Sequence, residues 1–284
     1  MLAPGEVRRY GRGMTERPNQ KLSQRLRLGE TLAETLRRVP EMWRGAGGAI
    51  GISALAAVVL AVVPLAGPMR AVCWVWLVLA SLVAFGAVTR IGVARDLAGA
   101  RALGLGPFGF QLTRTEARLA GATLLCALFL TIILSLLALV ALALFGGAGL
   151  DAEAIRARDW AGAGPLWKRM LLAIIGVIVL GAPVLLALRL SLYAQATVGR
   201  GLMTSLTVTS LTNGSMLPLF VGLLLVEMPR TLWLVLMITG VVTGPVAVIG
   251  GIIVLAAVQA PLTAGFLGAA YRRLERPSED LAPL

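Results

Sequence analysis

The chain has 284 residues, 58% of them hydrophobic and only 14% charged, against roughly 25% charged in soluble domains. That composition excludes an ordinary soluble helical bundle, whose helices alternate polar and apolar faces. The formal charge of +12 does not point to nucleic acid. Ten of the 26 Lys and Arg precede residue 46 and most others flank apolar runs, a placement suited to anionic lipid headgroups.

With no His in the chain, imidazole catalysis and His-ligated metal sites are excluded. Cys73 and Cys126 stand alone within apolar runs and read as small buried hydrophobes. The first 40 or so residues are polar, so no cleavable signal is expected and the first span directs insertion.

In chain order, Leu28, Leu32, Leu36, Val39 and Trp43 fall at helical spacing with Arg25, Arg27, Arg37 and Arg38 around them. This predicts an amphipathic helix on the membrane surface, ended or kinked by Pro40. Together with Arg44, these four arginines are the candidate contacts for lipid headgroups. Six spans are then predicted, because about 20 apolar residues cross a hydrocarbon core about 30 Å thick. They run Ala46–Ala66, Ala71–Thr89, Leu119–Phe145 and Trp167–Leu188; the fifth starts near Ser215, and the sixth runs from about Val246 to about Ala270. Inside lipid each is expected to be a helix, which satisfies its own backbone polar groups. The organisation is a basic segment (1–45), a membrane domain (46–270) and a tail (271–284).

Orientation follows from Lys and Arg in the connections. Ten lie in the N-terminal segment, five between Arg90 and Arg118, and Arg272, Arg273 and Arg276 follow the last span. The opposite side has Arg70 and a loop where basic residues are diluted by Asp151, Glu153 and Asp159. Both termini are therefore expected in the cytoplasm.

Two further stretches resemble the polar prelude to the first span. "LTRTEARL" carries the helix-start pair Thr113 and Glu116 before the third span. "GLMTSLTVTSLTNG" precedes the fifth with six hydroxyl residues and a break expected at Asn213–Gly214. Three units of surface helix plus hairpin would give a weak internal repeat.

Few motifs carry chemistry. "GLGPFG" (Gly104–Gly109) has the letters of a dinucleotide fingerprint, but that motif needs a preceding strand and a following helix, so a loop is expected. Gly47 with Gly51 and Gly240 with Gly244 have spacing that allows close helix packing, with no implication of a dimer. There is no carboxylate pair, G-x-S-x-G elbow, Walker loop or Cys-x-x-Cys, so no cofactor or metal is expected and a non-enzymatic role is favoured.

"LLLVEMPRTLWL" places Glu227 and Arg230 at i,i+3 in an apolar setting, where they could pair on one helix face. If the fifth span is straight, the pair lies near the bilayer centre, at a cost of about 2.5–3.5 kcal/mol per charge, and marks a functional site. If Pro229 ends a short span, the pair lies at the outer interface and "TLWLVLMITG" becomes an interfacial or re-entrant segment. The second arrangement is the expected one, and the first keeps a small transporter or channel as the alternative function.

The stretch "ALRLSLYAQATVGRGLMTSLTVTSLTNGSMLPLFVGLLL", with Arg189, Ser191, Ser205, Ser210, Thr212, Asn213 and Gly214, carries a resemblance. So do the tail "APLTAGFLGAAYRRLERP" and the opening "LRLGETLAETLRRVPEMW". The chain resembles the bacterial six-span family known as the glycerophosphoryl diester phosphodiesterase membrane domain. That resemblance implies a bacterial inner-membrane module, without the catalytic domain that some members attach, and so transfers no activity. The expected fold is an all-α bundle of six transmembrane helices with amphipathic cytoplasmic surface helices. The expected role is structural, accessory or lipid-associated, with anionic lipids and other membrane proteins as partners.

Overall fold

Segments that are apolar all round satisfy their backbone polar groups in lipid only as helices, and the computed structural model is helical with no strand among the described residues. It describes residues 26–147, 149, 151–159, 162, 164–204, 212 and 214–275. The first helix, α1, runs Leu28–Val62. It stops where Pro64 forces Val63 into extended backbone (φ −84°, ψ 125°). Helix α2 (Gly67–Val93) starts with Pro in its first turn, a position where the missing N–H is harmless. A short α3 (Leu97–Ala102) is capped by the Asp96 carboxylate, which accepts from Gly99 N at 2.6 Å. Then come α4 (Arg114–Gly147), the short α5 (Ala152–Arg156), α6 (Leu166–Leu190) and α7 (Tyr193–Arg200). Helices α8 (Met216–Val226) and α9 (Met228–Ile238) form a pair bent by 47°. Last are α10 (Gly244–Ile253), a π-helical segment (Val254–Gln259) and α11 (Ala260–Glu275).

Five stretches are long and apolar enough to cross a membrane, six when the two halves of the bent pair are taken as one span. Helix α8 packs along α11, while α9 packs along α10 and the π-helical segment. The pair therefore runs antiparallel to the last helix along its length. The protein is an all-α multi-span membrane bundle.

The expected surface helix is not a separate element. Pro40 lies inside α1, and the helix continues through it. Pro40 and Leu36, whose carbonyl its ring displaces, are both exposed, so that carbonyl faces the surroundings instead of the core. The buried face also differs from the expected apolar stripe. Thr31, Thr35 and Met42 are buried, whereas Leu36 and Trp43 face outward. Each threonine hydroxyl donates to the carbonyl four residues earlier, Thr31 to Arg27 O (2.9 Å) and Thr35 to Thr31 O (2.8 Å). Self-satisfied in this way, they present methyl groups to the next helix, and the Thr35 methyl and Met42 lie against Gly265 of α11. Thirty-five residues span about 52 Å, some 20 Å more than the hydrocarbon needs, which carries the start of α1 beyond the apolar layer. "LTRTEARL" likewise runs straight into α4, so the first two preludes of the proposed repeat are extensions of spans. Most of the third (205–211 and 213) lies outside the described residues.

Most buried side chains gather toward the end where α1 starts and α11 finishes, with Val226 and Gln259 near mid-height and Ile175 and Ala247 outside that end as well. One cluster joins α1 and α2, including Met42, Ala46, Ile50, Ala87 and Ile91, with Ala264 of α11 as its third wall. A second joins Leu188, Leu192, Leu219 and Phe266. Helices α2 and α11 meet backbone to backbone, where a Cβ on Gly268 would strike the backbone of Gly92 and one on Gly92 would lie 2.6 Å from Ala264 O. This crossing uses Ala264-x-x-x-Gly268, the small-residue spacing that lets membrane helices approach. The glycine pairs singled out from the sequence do other things. Gly240 and Gly244 turn the chain at positive φ (74° and 65°), and Gly51 faces open space.

Candidate functional site

Charged side chains concentrate where α1 starts, α2 ends, α4 starts and α11 finishes. The last carbonyls of a helix lack partners within it, and at the end of α2 two arginines supply them. Arg38 donates to the carbonyls of Ile91 (3.2 Å), Ala94 and Arg95, and Arg272 donates to those of Gly92 and Ala94 (3.2 Å). Positive charge there also offsets the negative pole of the helix dipole. Glu34 pairs with Arg272 at 2.6 Å and with Arg273 at 3.5 Å, and Glu30 pairs with Arg273 at 2.8 Å. Helices α1, α2 and α11 are thus clamped at one end by charge-assisted contacts.

Beside this clamp is a fully buried ion pair. Arg90 is 0% exposed and Glu116 2% exposed. Arg90 Nη1 donates to Glu116, its Nε to Leu103 O (3.0 Å) and its Nη2 to Thr113 Oγ1 (3.2 Å). Glu116 accepts in addition from Thr113 N (2.8 Å) and Thr113 Oγ1 (2.6 Å). The helix-start pair read from the sequence therefore forms, and its carboxylate also holds an arginine 26 residues earlier. Gly86 leaves the room for it, since a Cβ there would come within 2.8 Å of Glu116 Oε1.

The headgroup candidates divide. Arg25 lies outside the described residues. Arg27 is exposed and pairs with Glu30 at 3.0 Å. Arg38 turns inward as a cap for α2, occupied by backbone carbonyls. Arg37 and Arg44 are exposed and meet no carboxylate among the described residues. They share the outer face of α1 with Leu36 and Trp43, 64% and 40% exposed. The loop after α3 lies against α1 near Gly48 and exposes Phe108, Phe110 and Leu112. "GLGPFG" is this loop, with Pro107–Gly109 forming one 3-10 turn and no strand before it. Apolar and aromatic side chains interleaved with free cations at one level are suited to a headgroup boundary.

Glu227 and Arg230 form an ion pair at 3.6 Å, partly exposed on the outside of the bundle. Glu227 is the joint between α8 and α9. Pro229 in the first turn of α9 cannot donate back to α8, which is why the helix breaks here. Because α8 packs on α11 and α9 on the π-helical segment, the joint stands beside the start of α11. That point is about 23 Å from either end of the continuous last helix Gly244–Glu275. At the same level Gln259 closes the π-helical segment. Its amide donates to Thr263 Oγ1 at 3.0 Å, while its Oε1, buried, has no partner among the described residues. The segment "TLWLVLMITG" does not leave the bundle, because Trp233 donates to Ala247 O at 3.1 Å and covers Gly250 and Gly251.

The sequence reading missed the Arg90–Glu116 pair, since Arg90 ends an apolar run and counted only as a loop charge. It also missed Arg272 as a helix cap. No family model, curated protein or solved structure matches the chain.

Proposed function

We propose that this chain is a non-enzymatic, lipid-associated membrane protein whose basic end sits among anionic headgroups on the cytoplasmic side. The observation that carries the proposal is the outward stripe Leu36, Arg37, Trp43 and Arg44 on α1, where the two arginines have no partner among the described residues while the neighbouring Arg38 and Arg272 are consumed by α2. The excess of Lys and Arg in the connections at this end supports the orientation. Each cation near an anionic surface contributes about 1 kcal/mol. Replacing both Arg37 and Arg44 by Gln should weaken association with phosphatidylglycerol about tenfold to thirtyfold at low salt. The same change in phosphatidylcholine should do nothing. Equal loss in both lipids would overturn the reading.

One observation favours a transport reading as the second. The bend at Glu227, the π-helical segment and the unpartnered Gln259 Oε1 fall at one level about midway along the last helix, and helix irregularities of this kind recur at functional sites. A cysteine at position 227 that reacts with water-soluble maleimide through the bundle supports transport. Reaction blocked at both surfaces supports a lipid-embedded structural pair.

A further inference from the structure

Helices α2 and α11 touch at Gly92 and Gly268, yet farther from the charged end they enclose, with α1 and α10, a cleft of about 420 Å³. That volume lies within the range of ordinary ligand sites. Its α2 wall extends from Leu77 to Val88, about 16 Å along the helix, which is the depth of one leaflet's hydrocarbon. The cleft runs parallel to the spans, the direction in which lipid chains lie. Ser81 and Leu255 at its rim are exposed, so it opens sideways to the hydrocarbon.

Among the described residues no charged side chain lines it. Its polar groups are Ser53, whose hydroxyl already donates to Ile50 O at 2.9 Å, Ser81, and Gln195 of α7. Gln195 is 1% exposed, and among the described residues its side chain makes no hydrogen bond, with its Oε1 enclosed and unpartnered. Burying an amide this way is costly unless something bonds to it. The other lining residues are aliphatic or aromatic, so they cannot provide that bond.

We propose that the cleft binds a neutral, hydroxyl-bearing, single-chain lipid of the monoacylglycerol or long-chain alcohol class. Its chain lies along α2 and its hydroxyl meets the Gln195 amide. The amide carries both a free acceptor and free N–H donors, and a hydroxyl satisfies either. A phosphate or carboxylate there would be buried without a cation, which the lining does not supply. This site is separate from Arg37 and Arg44, so it stands or falls independently of the headgroup reading.

The test uses the full chain in phosphatidylcholine nanodiscs with a diazirine-bearing monoacylglycerol, the adducts being mapped by mass spectrometry. Adducts should concentrate on residues 50–57 and 77–88 and be competed by unlabelled monooleoylglycerol. Gln195→Leu should lower this labelling about fivefold or more. It should leave labelling by the matching diazirine-bearing alkane, which has no hydrogen-bonding group, unchanged. Ala256→Phe, which fills the cleft, should abolish labelling by both probes; Ala54→Leu serves the same end if the first variant melts abnormally. Adducts spread over the lipid faces of α4 and α6 and indifferent to filling would overturn the proposal. So would equal labelling by a diazirine phosphatidylglycerol, or disulfide trapping between copies at position 57 that closes the cleft.

Discussion

At the residue scale, the most consequential contact is Arg90 with Glu116. Removing one member of a fully buried pair leaves the other charge unbalanced, at about 3–5 kcal/mol. Glu116→Gln and Arg90→Met should therefore each lower the unfolding midpoint sharply in detergent. The double variant Arg90→Leu/Glu116→Leu should recover much of the loss, because apolar replacement of both partners is often close to neutral. A double variant as unstable as the sum of the singles would show that the two act independently. The pair was only half legible in the sequence. Thr113 and Glu116 carry a local spacing that announces a helix start, and the start forms at Arg114. Their partner Arg90 is joined by the fold, across 26 residues and a loop, and no local pattern distinguishes it from Arg95 or Arg101. Arg37 and Arg38 show the same limit, for adjacent arginines on one helix point about 100° apart, and their different fates depend on where α2 ends.

At the element scale, the existence of the helices was legible and the way they join was not. The sequence marks the apolar runs, and six spans result. Pro40 and Pro229 have the same chemistry with different outcomes. Pro40 sits where α1 is held on both sides by packing against α2 and α11, and the helix persists. Pro229 follows a Glu on a segment with few buried neighbours, and the helix bends by 47°. Pro229→Ala should straighten the pair, lengthening a spin-label distance between positions 217 and 238 by about 3 Å; an unchanged distance would assign the bend to packing by Trp233. The crossing of α2 and α11 makes a second prediction. Gly268→Val forces a branched side chain into the Gly92 backbone and should destabilise by about 1–3 kcal/mol or more. Gly51→Val, which faces open space, should change stability little. Glycine spacing alone could not rank these sites, since Gly51 and Gly268 differ only in what stands opposite.

At the scale of the whole molecule, the core and the charges share one end. Helices α4 and α6 are largely exposed along the rest of their length, so lipid rather than protein covers the far half. Impermeant maleimide applied to intact cells should label Asp151→Cys, while Arg101→Cys should react only after permeabilisation. The reverse pattern would invert the orientation. The proposed binding of anionic headgroups by the free arginines of α1 carries the functional reading. It is tested most directly by native mass spectrometry of the protein extracted from mixed phosphatidylglycerol and phosphatidylcholine bilayers. The native chain should retain phosphatidylglycerol in excess of its bulk share, and the excess should fall as salt screens the charges. It should be largely lost in Arg37→Gln/Arg44→Gln. Retained lipid that mirrors the bulk mixture, or an excess that survives both substitutions, would contradict the account.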